Sequence, residues 1–334
     1  TAEAVEQIVL AGHGEDLLAV SMVCSILYEQ SVSVKGLIEP SKLYSSQGRF
    51  VERYLAGNNV KVNIFQTLGR EAKRTFWSLV QNEGLSVLTK VGGRVEQIMA
   101  SLDLMPLCAV STLLPHGYVL RVEKFALALE QALSKGSIEE AEQSFSLVKA
   151  HAQASFAKSK EQIHNAEMAL RLVRWIHGAS TQNTSVDDDL SDYILNGGFV
   201  DWARSCIWSG DINETLTKVF LKVSNAVTTK RQAQNQSFSK HLAALARGDN
   251  LSPGYIPVEN TLDTLVAKLA NNVPVLLLVL DGMSQAVYRE LTEDILKHNW
   301  VELTREDIKQ DTCLITAFPT VTQVSRCSLL SGVL

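Results

Sequence analysis

Paired cysteines are missing from this sequence. The five cysteines, Cys24, Cys108, Cys206, Cys313 and Cys327, are odd in number, far apart and form no CxxC pair. That spacing excludes a disulfide framework and a zinc knuckle, and it predicts reduced thiols in a cytoplasmic protein. Long apolar runs are missing as well. Residues 17–28 and 273–280 are the longest candidates, and both fall short of the ~20 residues a spanning helix needs. The opening TAEAVEQ has no basic stretch of the kind that precedes a secretory signal, so no membrane partner is expected. Nor is there an excess of positive charge. The formal net charge is −5, and basic residues come singly or in small groups such as Arg70, Lys73 and Arg74. This argues against a dedicated nucleic-acid surface and leaves a local groove as the only route to DNA.

What the chain has is apolar content and length. With 334 residues, 46% hydrophobic and 20% charged, it can bury a substantial core and should form about two domains. It opens on Thr1 and stops two residues after Gly332, and the expectation is a fragment of a longer protein.

Helical periodicity runs through residues 1–248, which are expected to form a helical domain, divisible into two subdomains. Residues 15–29 carry a wide apolar stripe suited to a core-facing helix. A second helix is expected over 63–82, ending before Gly84 in a left-handed cap. Two capping boxes, Ser137 with Glu140 and Asp211 with Glu214, predict the starts of long helices over 138–177 and 212–247. Strand-like alternation is confined to short pieces such as VKVNIF at 60–65, and no fixed-period repeat is found. His151, His164 and His177 are spaced by 13 residues, a rotation of about 220° per step on a helix, so they share no face and read as packed or solvated side chains. Asp187, Asp188, Asp189 and Asp192 follow Ser185 at an expected helix start, where carboxylates complement the dipole.

The pattern then changes. DNLSPGYIP at 249–257 reads as a linker. Residues 258–334 read as a helix near 259–270, a strand at 274–280, a helix near 284–297, a strand at 313–318 and a helix near 323–331, the opening of a parallel α/β sheet. Residues 275–280 are apolar on both alternating faces, as in a central strand covered on both sides. If 313–318 is its parallel neighbour, Asp281 and the loop PTVT at 319–322 lie together beyond the carboxyl ends of the strands, where open α/β sheets place ligands.

On position alone, Asp281 is either a metal or phosphate-site ligand or a strand-ending carboxylate that fills a turn with Gly282. Ser284 is the better cap for the helix that follows. Thr322 is either a helix cap or a hydroxyl placed to attack phosphorus, which would need an adjacent base or metal. Haloacid-dehalogenase-like chemistry is excluded because Met283 stands where a second carboxylate is required, and no GxGxxG follows the strand to bind a dinucleotide.

PVLLLVLDGMS at 274–284 and FPTVTQVSRCSLLSG at 318–332 together resemble the alkaline phosphatase superfamily. Within it they are similar to the PglZ family of BREX phage-defence systems, and NAEMALRLVRWI at 165–176 looks like the helical region upstream of the catalytic domain in type 2 PglZ proteins. The resemblance implies a metal-dependent phosphohydrolase or phosphodiesterase, with Asp281 binding a divalent metal, zinc or manganese, and Thr322 as metal-activated nucleophile and metal ligand. Thr320 is the alternative nucleophile if the register shifts by two. Ser325 corresponds to a phosphate-contacting position where phosphodiesterase members often carry Asn, and its hydroxyl donates one hydrogen bond where an amide donates two. The family's further Asp and His ligands lie downstream of these motifs, so this chain is expected to bind no metal firmly and to be inactive alone. The implied partners are other phage-defence proteins, and the second reading of the chain is a helical module that docks such components or DNA.

Overall fold

The computed structural model describes residues 1–28, 36–58, 60–178, 183–245, 255–303 and 313–333. Helix accounts for 75% and strand for 2%, so the fold is mainly α. The residues gather in two compact units, one of 1–174 with 209–223 and one of 175–208 with 224–334.

The first unit is built around a helix that is apolar on nearly every side. The helices in order are α1 (Ala2–Leu10), α2 (Leu17–Leu27), α3 (Pro40–Leu55), α4 (Val62–Glu83), α5 (Leu85–Ser101), α6 (Pro115–Lys135), α7 (Glu139–Lys149) and α8 (Ala157–His177). In α2, residues 19–24, 26 and 27 are all buried, the mark of a helix enclosed by others. Its close neighbour is α4. At Gly69 an added Cβ would lie 2.5 Å from the Ser25 backbone, so this crossing has room for hydrogen alone. Tyr28 and Phe65 stack with ring centroids 4.5 Å apart, and Phe50 meets Phe65 edge-on at 6.2 Å.

Helix starts depart from the expected boxes by one or two residues. Ser137 donates to Glu139 Oε2 at 2.6 Å and caps nothing, because α7 starts behind Ile138. The long helix α11 (Glu214–Leu245) is capped by Asn213, whose Oδ1 accepts from Leu216 N at 3.0 Å. Asp211 instead accepts from Asn213 N and from Gln162, both at 2.7 Å. The helix expected over 138–177 breaks at His151, where the backbone is extended and the ring accepts from Gln153 N. A local bond from side chain to backbone thus competes with helix continuation. The alternating residues 60–65 run into α4, since Phe65, Leu68, Ala72, Phe76 and Val80 keep one buried helical stripe. Gly84 ends α4 with φ of +76°, but its ψ of −149° lies outside the left-handed helical region.

The second unit contains α9 (Val186–Asp192), a π-helical turn at Tyr193–Gly197, α10 (Gly198–Cys206), the later part of α11, a helical stretch over 258–270 that ends in α12 (Ala267–Ala270), α13 (Gln285–Lys297) and α14 (Thr322–Ser331). Trp202 of α10 donates to Glu290 of α13 at 2.6 Å. Strands β1 (Tyr255–Pro257) and β2 (Cys313–Ile315) form one parallel pair, with Ile256 opposite Leu314. Just beyond the two strands, Val258 and Ala317 form a small core with Leu329 of α14.

Two expectations change here. The strand neighbouring 313–315 is 255–257, whereas the sequence reading makes 274–280 the candidate neighbour of 313–318. Residues 274–280 adopt no strand pairing among the described residues and lie exposed, Leu276 by 83% and Leu278 by 71%. A segment apolar on both faces becomes a central strand only when neighbours cover both faces, and the described residues supply no such cover. Of the expected linker, 249–254 lies outside the described residues and 255–257 is β1.

Candidate functional site

Asp281 stands where the unpaired apolar segment ends in a turn. Gly282 takes φ of +68°, a conformation open to glycine at little cost. Ser284 then caps α13, its Oγ accepting from Val287 N at 3.3 Å. With the cap filled by a neighbour, the Asp281 carboxylate is left for tertiary contacts.

Those contacts come from α14. Thr322, the first residue of that helix, donates from Oγ1 to Asp281 Oδ1 at 3.4 Å, across 41 residues of sequence. Arg326 donates from Nη2 to Asp281 Oδ2 at 2.9 Å. Residues four apart lie on one face of a helix, so Thr322 and Arg326 reach the same carboxylate. Val321 precedes the helix and makes no side-chain cap. Thr322 is therefore not spent as an N-cap, and its hydroxyl is engaged by Asp281 instead.

The remaining candidates lie apart from this cluster. Ser325 Oγ is 2.8 Å from Thr316 Oγ1, next to the end of β2. Thr320 is exposed and makes no bond to Asp281. His151 is buried, with Nε2 3.1 Å from Leu114 O and Nδ1 accepting from Gln153 N. Burial pushes its pKa down to about 4, the nearby Arg121 charge adding to the effect, so it is a neutral packing residue. His164 and His177 are exposed. In the acidic run, Ser185 caps α9 by accepting from Asp188 N at 3.1 Å, as expected, while Asp189 is paired with His241 at 2.6 Å.

Arg326 is the residue that motif reading overlooked. Its position one helical turn after Thr322 was the available signal, since a cation there faces whatever the threonine faces. Side chains in the pair are 60% and 42% exposed, so the ion pair is a surface one that contributes roughly 0–1 kcal/mol. Chemically, the cluster offers a hydroxyl, a carboxylate that accepts from it, and a guanidinium whose fork matches phosphate oxygens.

The divalent metal implied by the resemblance does not fit this donor set. Asp281 and Thr322 supply two side-chain ligands, and no group of three His, Cys, Asp or Glu side chains suited to a metal occurs among the described residues. Zinc at a catalytic site takes three protein ligands, and the Arg326 guanidinium already occupies Asp281 Oδ2. No protein-family model, curated protein or solved structure matches the chain. Among the described residues, no helix is long and apolar enough to cross a membrane.

Proposed function

We propose that this chain carries the nucleophile side of a phosphoester-cleaving site in a PglZ-like, alkaline-phosphatase-related protein of phage defence. Thr322 is the attacking hydroxyl, Asp281 orients it and Arg326 receives the phosphate oxygens. The observation that carries the reading is the 3.4 Å approach of Thr322 Oγ1 to Asp281 Oδ1 across 41 residues, which unites two motifs that the sequence joins only by resemblance. Arg326 takes the phosphate-contacting role in this reading, because Ser325 is engaged with Thr316.

A carboxylate is too weak a base to ionise threonine alone, and an activated nucleophile needs a stronger base or a metal. A zinc or manganese ion would supply that activation, and holding it requires ligands beyond those the described residues bring to Asp281. The chain alone is therefore expected to be inactive. The purified chain, assayed on a generic phosphodiester with manganese or zinc, should hydrolyse no faster than its Thr322→Ala variant, and turnover above that control would overturn the inactivity. In a full-length protein carrying the chain, metal-dependent hydrolysis should fall at least ~100-fold in Asp281→Ala and in Thr322→Ala. Phage defence that survives both substitutions and fails when the helical region is removed would move the function to the helices and their partners.

A further inference from the structure

A cavity of about 370 Å³ opens in the second unit, between the chain at 183–193 and the later turns of α11. It shares no lining residue with the Asp281 cluster, and its size lies in the ~300–1,000 Å³ range of small-molecule sites.

The walls are cross-braced. Arg231 lies over the Tyr193 ring at 5.0 Å from its centroid and donates to Gln234 Oε1 at 2.8 Å. Gln234 in turn donates to Asp192 Oδ2 at 3.2 Å. Asp189 is held between His241 at 2.6 Å and Asn183 at 2.9 Å. Gly197 makes room for this packing, because an added Cβ would run into the Tyr193 ring and come within 3.2 Å of Arg231 Nη1. The turn that carries Tyr193 and Gly197 is π-helical, a local form enriched at functional sites.

Three features select a ligand. First, Phe238 lines the cavity beside Leu190 and Tyr193, and an aromatic face with apolar surface next to it favours a planar ring. Second, Asp189 and Asp192 face the cavity, and a carboxylate oxygen that accepts one bond keeps a lone pair for a further N–H donor. Asn235 also lines it and is exposed, and its side-chain amide makes no hydrogen bond among the described residues, so that amide can both donate and accept. Third, the sign of charge disfavours an anion. Asp201, 3.6 Å from Arg231 Nε, joins the two lining aspartates against the one lining arginine, while Lys230 is engaged by the carbonyls of Trp175 and Ile176 at 2.8 and 3.0 Å.

We propose that this cavity binds a planar nitrogen heterocycle of the nucleobase class, as a nucleoside without its phosphate. The ring lies against Phe238, its N–H donors meet Asp189 and Asp192, and the amide of Asn235 pairs with a donor–acceptor edge in the way Asn and Gln read adenine. The site stands independently of the phosphoester reading.

The test is equilibrium binding of the four ribonucleosides and their 5′-monophosphates to the purified chain. At least one nucleoside should saturate the protein with a Kd of ~0.1 mM, the affinity an ordinary ligand of that size attains. Phe238→Ala should weaken it about tenfold through lost stacking, and Asn235→Ala, at an exposed position, should weaken it a few-fold without disturbing the fold. The matching monophosphate should bind less tightly, and Thr322→Ala should leave binding unchanged. The proposal is overturned if no nucleoside saturates the chain, if both cavity variants bind as the wild type does, or if the monophosphate is preferred.

Discussion

Asp281 shows what a single residue's surroundings decide. Its charge follows an apolar segment, and whether it serves a turn or a site depends on who else claims the turn. Ser284 claims it, and the carboxylate goes to Thr322 and Arg326. Because the ion pair with Arg326 is half-exposed, Arg326→Ala should change unfolding free energy by less than about 1 kcal/mol. Urea denaturation checks this, and a larger loss would give the arginine a structural duty that exposure does not suggest. His151 is the opposite case. Its folded pKa of about 4 lies below the ordinary 6.5, so between those values the unfolded chain binds the proton more strongly. The stability held by neutral His151 is complete above pH 6.5 and is lost as pH falls toward 4. From pH 7 to 4.5 the wild type should lose about 2 kcal/mol more than His151→Gln. Equal losses in the two proteins would assign the acid sensitivity to other groups.

Among the elements, helices were legible wherever one apolar stripe persisted, as in α4 and α13, whereas the starts of α7 and α11 and the break at His151 were not. Helix ends depend on single side-chain bonds that compete within a few ångströms. At α11 the competition is won by Asn213 over Asp211. Asn213→Ala should therefore cost about 1 kcal/mol, the usual loss for a cap, as read from the thermal midpoint and unfolding enthalpy. An effect near zero would mean that Thr217, whose Oγ1 accepts from Asp211 N at 2.8 Å, holds the entry to the helix by itself. The α2–α4 crossing makes a stronger demand, since the Gly69 approach involves Ser25 backbone that cannot swing aside. Gly69→Ala should destabilise the first unit by about 2 kcal/mol despite its better helix propensity. A stabilised variant would show that the two helices separate at little cost.

At the scale of the whole molecule, burial is uneven. The core of α1 to α5 is closed, with Phe50, Phe76 and Leu88 fully buried, whereas Leu276, Leu278 and Trp300 stand largely in solvent. A contiguous exposed apolar segment promotes association, so Leu276→Lys with Leu278→Lys should reduce concentration-dependent light scattering by the purified chain. Scattering that is unchanged by the double substitution would place the adhesive surface elsewhere.

By itself the sequence determined the mainly helical architecture, the cap at Ser284 and the acidic helix start at Ser185. These follow from periodicity and local chemistry, which act over a few residues. Tertiary structure alone decided that 255–257 pairs with 313–315, that 274–280 lies unpaired among the described residues, that Arg326 joins Asp281, and that Asp189, Asp192 and α11 enclose a cavity. Each of these depends on which distant partner satisfies a backbone edge or a charge, and such a choice between competing long-range contacts leaves no periodic trace in the chain.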